Sequence, residues 1–158
     1  MITFVIPMHK WTDQIEICFN RLHQQLGANE IIVVADQCEL PDLPAKVVQT
    51  TKRSYAAGSR NLGAEHATHD VIVFVDSDIL VPNNFVKHCE EKYHKDQSSI
   101  FCFPMGTEVS DLYTAGFKGM LELYSTHHLY AQPQDTIQQL QGYCCVITKN
   151  LLHKTGYW

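Results

Sequence analysis

Apolar residues fall along this chain in two alternating patterns. Short, largely β-branched runs occur at Ile2-Thr3-Phe4-Val5-Ile6, Ile31-Ile32-Val33-Val34, Val71-Ile72-Val73-Phe74-Val75, Ile100-Phe101-Cys102-Phe103 and Tyr143-Cys144-Cys145-Val146-Ile147. Such runs read as strands buried on both faces of a sheet. Lys46-Val47-Val48-Gln49 is a shorter strand, and Pro7 is expected to stop the first one. Between the runs, apolar residues recur at helical spacing. Trp11 to Leu26 places Ile15, Cys18, Phe19, Leu22 and Leu26 on one face, with Thr12 or Asp13 as its cap and Gly27 as its stop. Tyr55 to Thr68 carries Ala56, Ala57, Leu62, Ala64 and Ala67. Gly58 and Gly63 are costly inside that helix, which predicts either a close backbone approach or a start later than Tyr55. Asn83 or Asn84 is placed to cap a helix with Phe85, Val86, Cys89 and Tyr93 on one face, and Leu151 begins a short last helix. Between the last two strands, Phe117, Met120, Leu121 and Tyr124 predict a core-facing helix, and Gln132 to Gln141 a polar loop.

Strands that alternate with helices predict a three-layer α/β/α domain with a largely parallel central sheet. No internal repeat or domain boundary interrupts residues 1–158.

The candidate chemistry lies where the third long run ends, at Asp76-Ser77-Asp78. In open α/β sheets, ligands bind beyond the carboxyl ends of the strands. If the backbone stays extended through Ser77, both carboxylates face one side. Two hard oxygen donors aimed at one point suit Mg²⁺ or Mn²⁺, ions that keep some waters and take further ligands from substrate phosphates. The competing interpretation is a solvated turn after a strand.

Composition narrows the partners. The 158 residues are 45% hydrophobic, enough for one packed core, and the net charge of −5 gives no broad affinity for nucleic acid. An anionic substrate therefore needs local Arg, Lys, metal or helix N-termini. Met1 to Pro7 lacks a basic segment of the kind that opens a secretory signal. No run approaches the roughly 20 apolar residues that span a bilayer. The six cysteines show no Cys-x-x-Cys spacing and lie mostly in apolar segments, which points to a reducing, cytoplasmic setting without disulfides or zinc. His66, His69, His127 and His128 lack the neighbouring ligands of a closed metal site. Peripheral membrane contact and self-association are left open.

Several segments together resemble family 2 glycosyltransferases of the GT-A fold. Phe4-Val5-Ile6-Pro7-Met8-His9-Lys10 is similar to that family's first strand and turn, and Ile31 to Asp36 to its second strand, which ends in paired aspartates. Gly58-Ser59-Arg60-Asn61-Leu62-Gly63-Ala64 resembles its Arg-Asn-x-Gly helix, and Asp76-Ser77-Asp78 its Asp-x-Asp segment. Gly142 to Ile147, followed by Thr155-Gly156-Tyr157-Trp158, resembles the strand and Gly-Gly-Phe-like turn near the end of the catalytic core.

The resemblance implies a nucleoside-diphosphate sugar, a UDP- or GDP-sugar, as donor. It implies that Pro7, Met8 and His9 line the nucleoside and that Asp36 accepts the imide N–H of the base. Arg53 or Arg60 would balance the diphosphate. Gly58, Asn61 and Ser77 would complete the donor site, and Asp76 and Asp78 would hold ribose and metal, Asp78 more directly. Two departures stand out. Ala35 replaces the first of the paired aspartates, and no Asp or Glu follows Gly156, where inverting members place a catalytic base. The expected base would thus lie beyond Trp158, the chain would be a donor-binding domain without its acceptor part, and the acceptor is not legible. The alternatives are a non-catalytic nucleotide-sugar-binding domain and, less well supported, another metal-dependent nucleotide enzyme such as a nucleotidyltransferase. The latter would want a Gly-rich basic loop after the first strand, which Pro7-Met8-His9-Lys10 is not.

Overall fold

A computed structural model describes residues 1–95, 101–102 and 144–157. The chain packs as two compact units, Met1–Phe101 with Gln141–Trp158, and Cys102–Leu140. The first contains the candidate site and all of the sheet except Cys102. The helix expected between Asp111 and Tyr130 and the loop expected over Gln132–Gln141 lie outside the described residues.

Six strands form one sheet: β1 (Ile2–Met8), β2 (Glu30–Ala35), β3 (Lys46–Gln49), β4 (Val71–Val75), β5 (Phe101–Cys102) and β6 (Cys144–Thr148), in the order β3-β2-β1-β4-β6-β5. Pairings β1–β2, β1–β4 and β2–β3 are parallel, and β4–β6 is antiparallel. Among the described residues four helices accompany them: α1 (Asp13–His23), α2 (Tyr55–His66), α3 (Phe85–Lys95) and α4 (Lys149–Thr155). Every residue of β1 and β4 is buried, as continuous apolar runs require of central strands covered on both faces.

One face of the sheet packs on α2 and α4. There Val5, Ile32, Val34, Ile72, Phe74 and Ile147 meet Ala64, Ala67 and Leu152. The opposite face packs on α1 and α3: Ile6, Met8 and Val75 surround a small void with Cys18, Phe19 and Leu22, and the Phe4 and Phe85 rings lie 6.1 Å apart. These are the expected three layers.

Gly63 explains how close α2 lies to the sheet. A Cβ there would come within 2.3 Å of Val5 Cγ1 and 3.1 Å of Val34 Cγ2, so the helix cost of glycine is offset by close packing. Of the two readings of the helical glycines, close backbone approach holds at Gly63, and the helix does begin at Tyr55. At Gly58 the near neighbour is local, Ser54 Cβ at 3.1 Å.

Local expectations differ from the structure at three places. Pro7 does not stop β1, which runs on to Met8 and pairs Pro7 with Val34. The Met8 carbonyl accepts from Asp36 N–H at 2.7 Å and so faces β2. Strand alternation turns the Pro7 nitrogen towards β4, whose pairing with β1 ends at Val5, so no ladder bond is lost there. Second, α1 is shorter than Trp11–Leu26. Thr12 caps it by accepting from Ile15 N–H at 3.3 Å, but it closes at Gln24, and Gly27 takes its left-handed φ of 56° in the turn that follows. Third, α3 follows Asn84, whose carbonyl accepts from His88 N–H at 3.0 Å, but the helix start also draws on a distant side chain. The first N–H of the helix, on Phe85, donates to Gln25 Oε1 at 2.9 Å.

Candidate functional site

The carboxyl ends of β1, β2 and β4 open into one cleft of about 280 Å³, lined by Pro7, Met8, His9, Asp36, Arg53, Tyr55, Ala56, Ser59, Asp76, Ser77 and Asp78. Parallel β1, β2 and β4 end side by side, which brings these separated segments to one edge. Eight of the residues singled out in the sequence meet here. Gly58, Arg60 and Asn61 do not line the cleft. Tyr55, Ala56 and Ser59 line it unforeseen, because each reads in sequence only as the start of a helix.

Asp76 directly follows β4, and its Oδ1 accepts from Arg60 Nη2 at 2.5 Å. Arg60 is buried on α2, so its charge reaches the cleft through this carboxylate rather than by facing it. Burial pushes the Asp76 carboxyl above the usual range. Arg60 opposes that shift by charge and hydrogen bond, and the neighbouring Asp78 adds to it.

The backbone is not extended through Ser77. Ile79 N–H donates to the Asp76 carbonyl at 3.1 Å, which closes a turn over residues 76–79. The carboxylates therefore come to the cleft by a turn, with Asp78 exposed and Asp76 half-buried. Hard oxygen donors of this kind fit Mg²⁺ or Mn²⁺. Among the described residues no cluster of three or more His, Cys, Asp or Glu forms a closed cage, so a cation here would need water or substrate oxygens as well.

Asp36, only 7% exposed, is bonded to its own chain. Its Oδ1 accepts from Ser54 N–H at 2.8 Å and the Thr50 hydroxyl at 3.0 Å, and its Oδ2 from Tyr55 N–H at 2.8 Å. Desolvation alone would raise this carboxyl, but the Ser54 N–H, Thr50 hydroxyl and Tyr55 N–H together outweigh it and hold the group below the usual aspartate range. The carboxylate thus fixes the loop entering α2. Ser54 and Ser59 hydroxyls, 2.7 Å apart, tie that loop to the first turn of the helix. On the loop, Arg53 places its guanidinium carbon 5.1 Å from the centre of the Tyr55 ring.

The model of the family described as "Glycosyl transferase family 2" matches residues 3–156, and the chain belongs to that family. Solved structures share its fold. S. aureus TarS 1-349 superposes with a TM-score of 0.71 at 18% identity, over 99% of this chain and 50% of that one. The same protein in complex with UDP-GlcNAc gives 0.71 and 18%, over 99% and 48%. The mannosyltransferase PcManGT from Pyrobaculum calidifontis, in complex with GDP-Man and Mn²⁺, gives 0.68 and 18%, over 99% and 47%. The chain thus spans about half the length of these structures. A sequence search of curated proteins returned no match. Among the described residues, no helix is long and apolar enough to cross a membrane.

Proposed function

We propose that residues 1–158 form one nucleotide-sugar-binding domain of a glycosyltransferase, which transfers a sugar from a UDP- or GDP-sugar to an acceptor with the help of Mn²⁺ or Mg²⁺. The observation that carries this reading is the meeting of Arg53, Asp76 and Asp78 in one cleft at the carboxyl edge of the sheet. Family membership and the nucleotide-sugar complexes of TarS and PcManGT support it.

Breaking a sugar–diphosphate bond builds negative charge on the departing nucleoside diphosphate. A divalent ion held through Asp78 and Asp76 would neutralise that charge as a Lewis acid. Arg60 orients the Asp76 carboxylate and favours its ionised form. Arg53 adds positive charge at the rim, where the donor's phosphates enter. Pro7, Met8 and His9 form the wall beside the nucleoside. An inverting course follows the family pattern, with a carboxylate base outside this chain's described residues. Cys18, Cys38 and Cys89 form no disulfide, which is in keeping with a cytoplasmic setting.

Calorimetric titration of the chain with UDP- and GDP-sugars, with and without Mn²⁺, tests the reading. Binding strengthened by Mn²⁺ is expected, with a loss of about tenfold or more in Asp78→Ala. Asp78 is exposed, so this variant keeps the fold, which circular dichroism checks. Absence of nucleotide binding, or metal-dependent binding unchanged in Asp78→Ala, overturns it. Donor binding without hydrolysis or transfer would mark a binding domain instead.

A further inference from the structure

Resting on the donor reading above, we propose that the donor's base is a pyrimidine with a single imide N–H, uracil or thymine, and that Asp36 excludes guanine because one acceptor position alone is left open on its carboxylate.

The contacts of Asp36 carry this. An ionised aspartate offers two oxygens and about four acceptor positions. The carboxyl is held below the usual aspartate range, so at neutral pH it accepts and does not donate. Its Oδ1 is doubly engaged, by Ser54 N–H at 2.8 Å and the Thr50 hydroxyl at 3.0 Å. Its Oδ2 takes one bond, from Tyr55 N–H at 2.8 Å. The nearby Ser54 hydroxyl is paired with Ser59 at 2.7 Å. One position therefore remains, on Oδ2, and Asp36 lines the cleft. The bonds already made fix the loop entering α2, so a ligand that displaced them would have to undo part of the fold.

That single position reads the edge of a base. Uracil and thymine present one N–H between two carbonyls. Oδ2 meets the N–H, and Arg53, on the wall of the same cleft, is a donor for a flanking carbonyl. Guanine presents N1–H beside the exocyclic N2–H₂, two donors that call for both carboxylate oxygens, and Oδ1 is already full. Among the described residues lining the cleft, the other carboxylates are Asp76 and Asp78, which follow β4, with β1 between them and β2. Ala35 adds none at the end of β2 itself. Guanine would thus enter with one donor unmatched. Cytosine fails for a different reason: its N3 is an acceptor and would face the carboxylate lone pair.

The experiment is calorimetry on the full chain in Mn²⁺ with UDP, dTDP, GDP, CDP and N3-methyl-UDP. UDP or dTDP is expected to bind tightest, with GDP, CDP and N3-methyl-UDP each weaker by about 5- to 150-fold. UDP ahead of dTDP assigns uridine, and dTDP ahead of UDP assigns thymidine. The N3-methyl compound removes the N–H from the ligand and leaves the protein untouched. In Asp36→Asn the Oδ1 contacts require the amide oxygen, which puts the amide N–H₂ at the open position. The ratio of UDP to CDP affinity should then fall by about tenfold or more. GDP or CDP within about threefold of the tighter imide nucleotide, or N3-methyl-UDP equal to UDP, overturns this inference and leaves the donor reading standing. If the unmodified chain binds none of the nucleotides, the donor reading itself fails, and this inference with it.

Discussion

Arg60 on α2 and Asp76 after β4, 16 residues apart in sequence, meet through a 2.5 Å hydrogen bond at the base of the cleft. Arg60 is 8% exposed and the Asp76 side chain 32%, so the pair sits at the boundary between core and site. Each ion makes the other tolerable there: the guanidinium has left most of its water behind, and the carboxylate replaces part of it.

Replacing Arg60 by Met should therefore leave a partly desolvated carboxylate beside Asp78. The folded-state pKa of Asp76, already raised by burial, should rise further, and carboxyl ¹³C titration would show it. At neutral pH the variant should lose about 1–3 kcal/mol in urea unfolding, towards the lower end because Asp76 keeps some solvent. The deficit should shrink as pH falls through the raised Asp76 pKa, since a neutral carboxyl needs no counter-charge. A pH-independent deficit would mean that only packing was lost.

Gly63→Ala offers a choice between two opposing effects. Alanine improves helix propensity by about 1 kcal/mol. Its methyl group, however, meets Val5 Cγ1 at 2.3 Å on a strand with no room to retreat, and overpacking of this kind costs about 1–3 kcal/mol. We expect a lower midpoint in thermal unfolding. The double variant with Val5→Ala should be less destabilised than the sum of the two single changes. A higher midpoint for Gly63→Ala alone would show that α2 can move off the sheet freely.

Asp36 should make the fold acid-sensitive. Its folded pKa lies below the ordinary value of 3.8, so its stabilising contribution is complete above that value and is lost as pH falls through the depressed folded pKa. Glu30 behaves in the same sense from an ordinary value of 4.5. Burial would raise it, but the Thr68 N–H and the Thr3 and Thr68 hydroxyls that donate to it, helped by Lys46, hold it down. Asp36→Asn should be less stable at neutral pH and show a shallower loss of stability between pH 4 and pH 2, measured by urea unfolding at a series of pH values. An acid limb as steep as that of the unmodified chain would assign the acid sensitivity to Glu30 and other groups.

The strands were legible because burial on both faces leaves a mark that is local: β2 and β4 fall where the apolar runs lie. Boundaries that depend on neighbours were less legible. Pro7 breaks a strand if its nitrogen must donate, and it does not here because β4 has already ended beside it. Gln25 could not be foreseen as the acceptor for Phe85 N–H, since the two lie 60 residues apart. The glycines of α2 were legible as a question, and only the placement of Val5 and Val34 answered it for Gly63.

At the site, the sequence by itself marked Asp36, Asp76 and Asp78 as strand-end carboxylates, because a charge that closes an apolar run must sit at the sheet edge. What each carboxylate does there was decided by tertiary structure. Asp36 is held by Ser54 and Tyr55, 18 and 19 residues on. Asp76 is taken up by Arg60, and Asp78 is left facing solvent. Those partners are fixed by the strand order β3-β2-β1-β4, which sets the loops that share an edge. Hydrogen bonds between segments so far apart depend on that arrangement in space, and no local pattern of hydrophobic and polar residues encodes it.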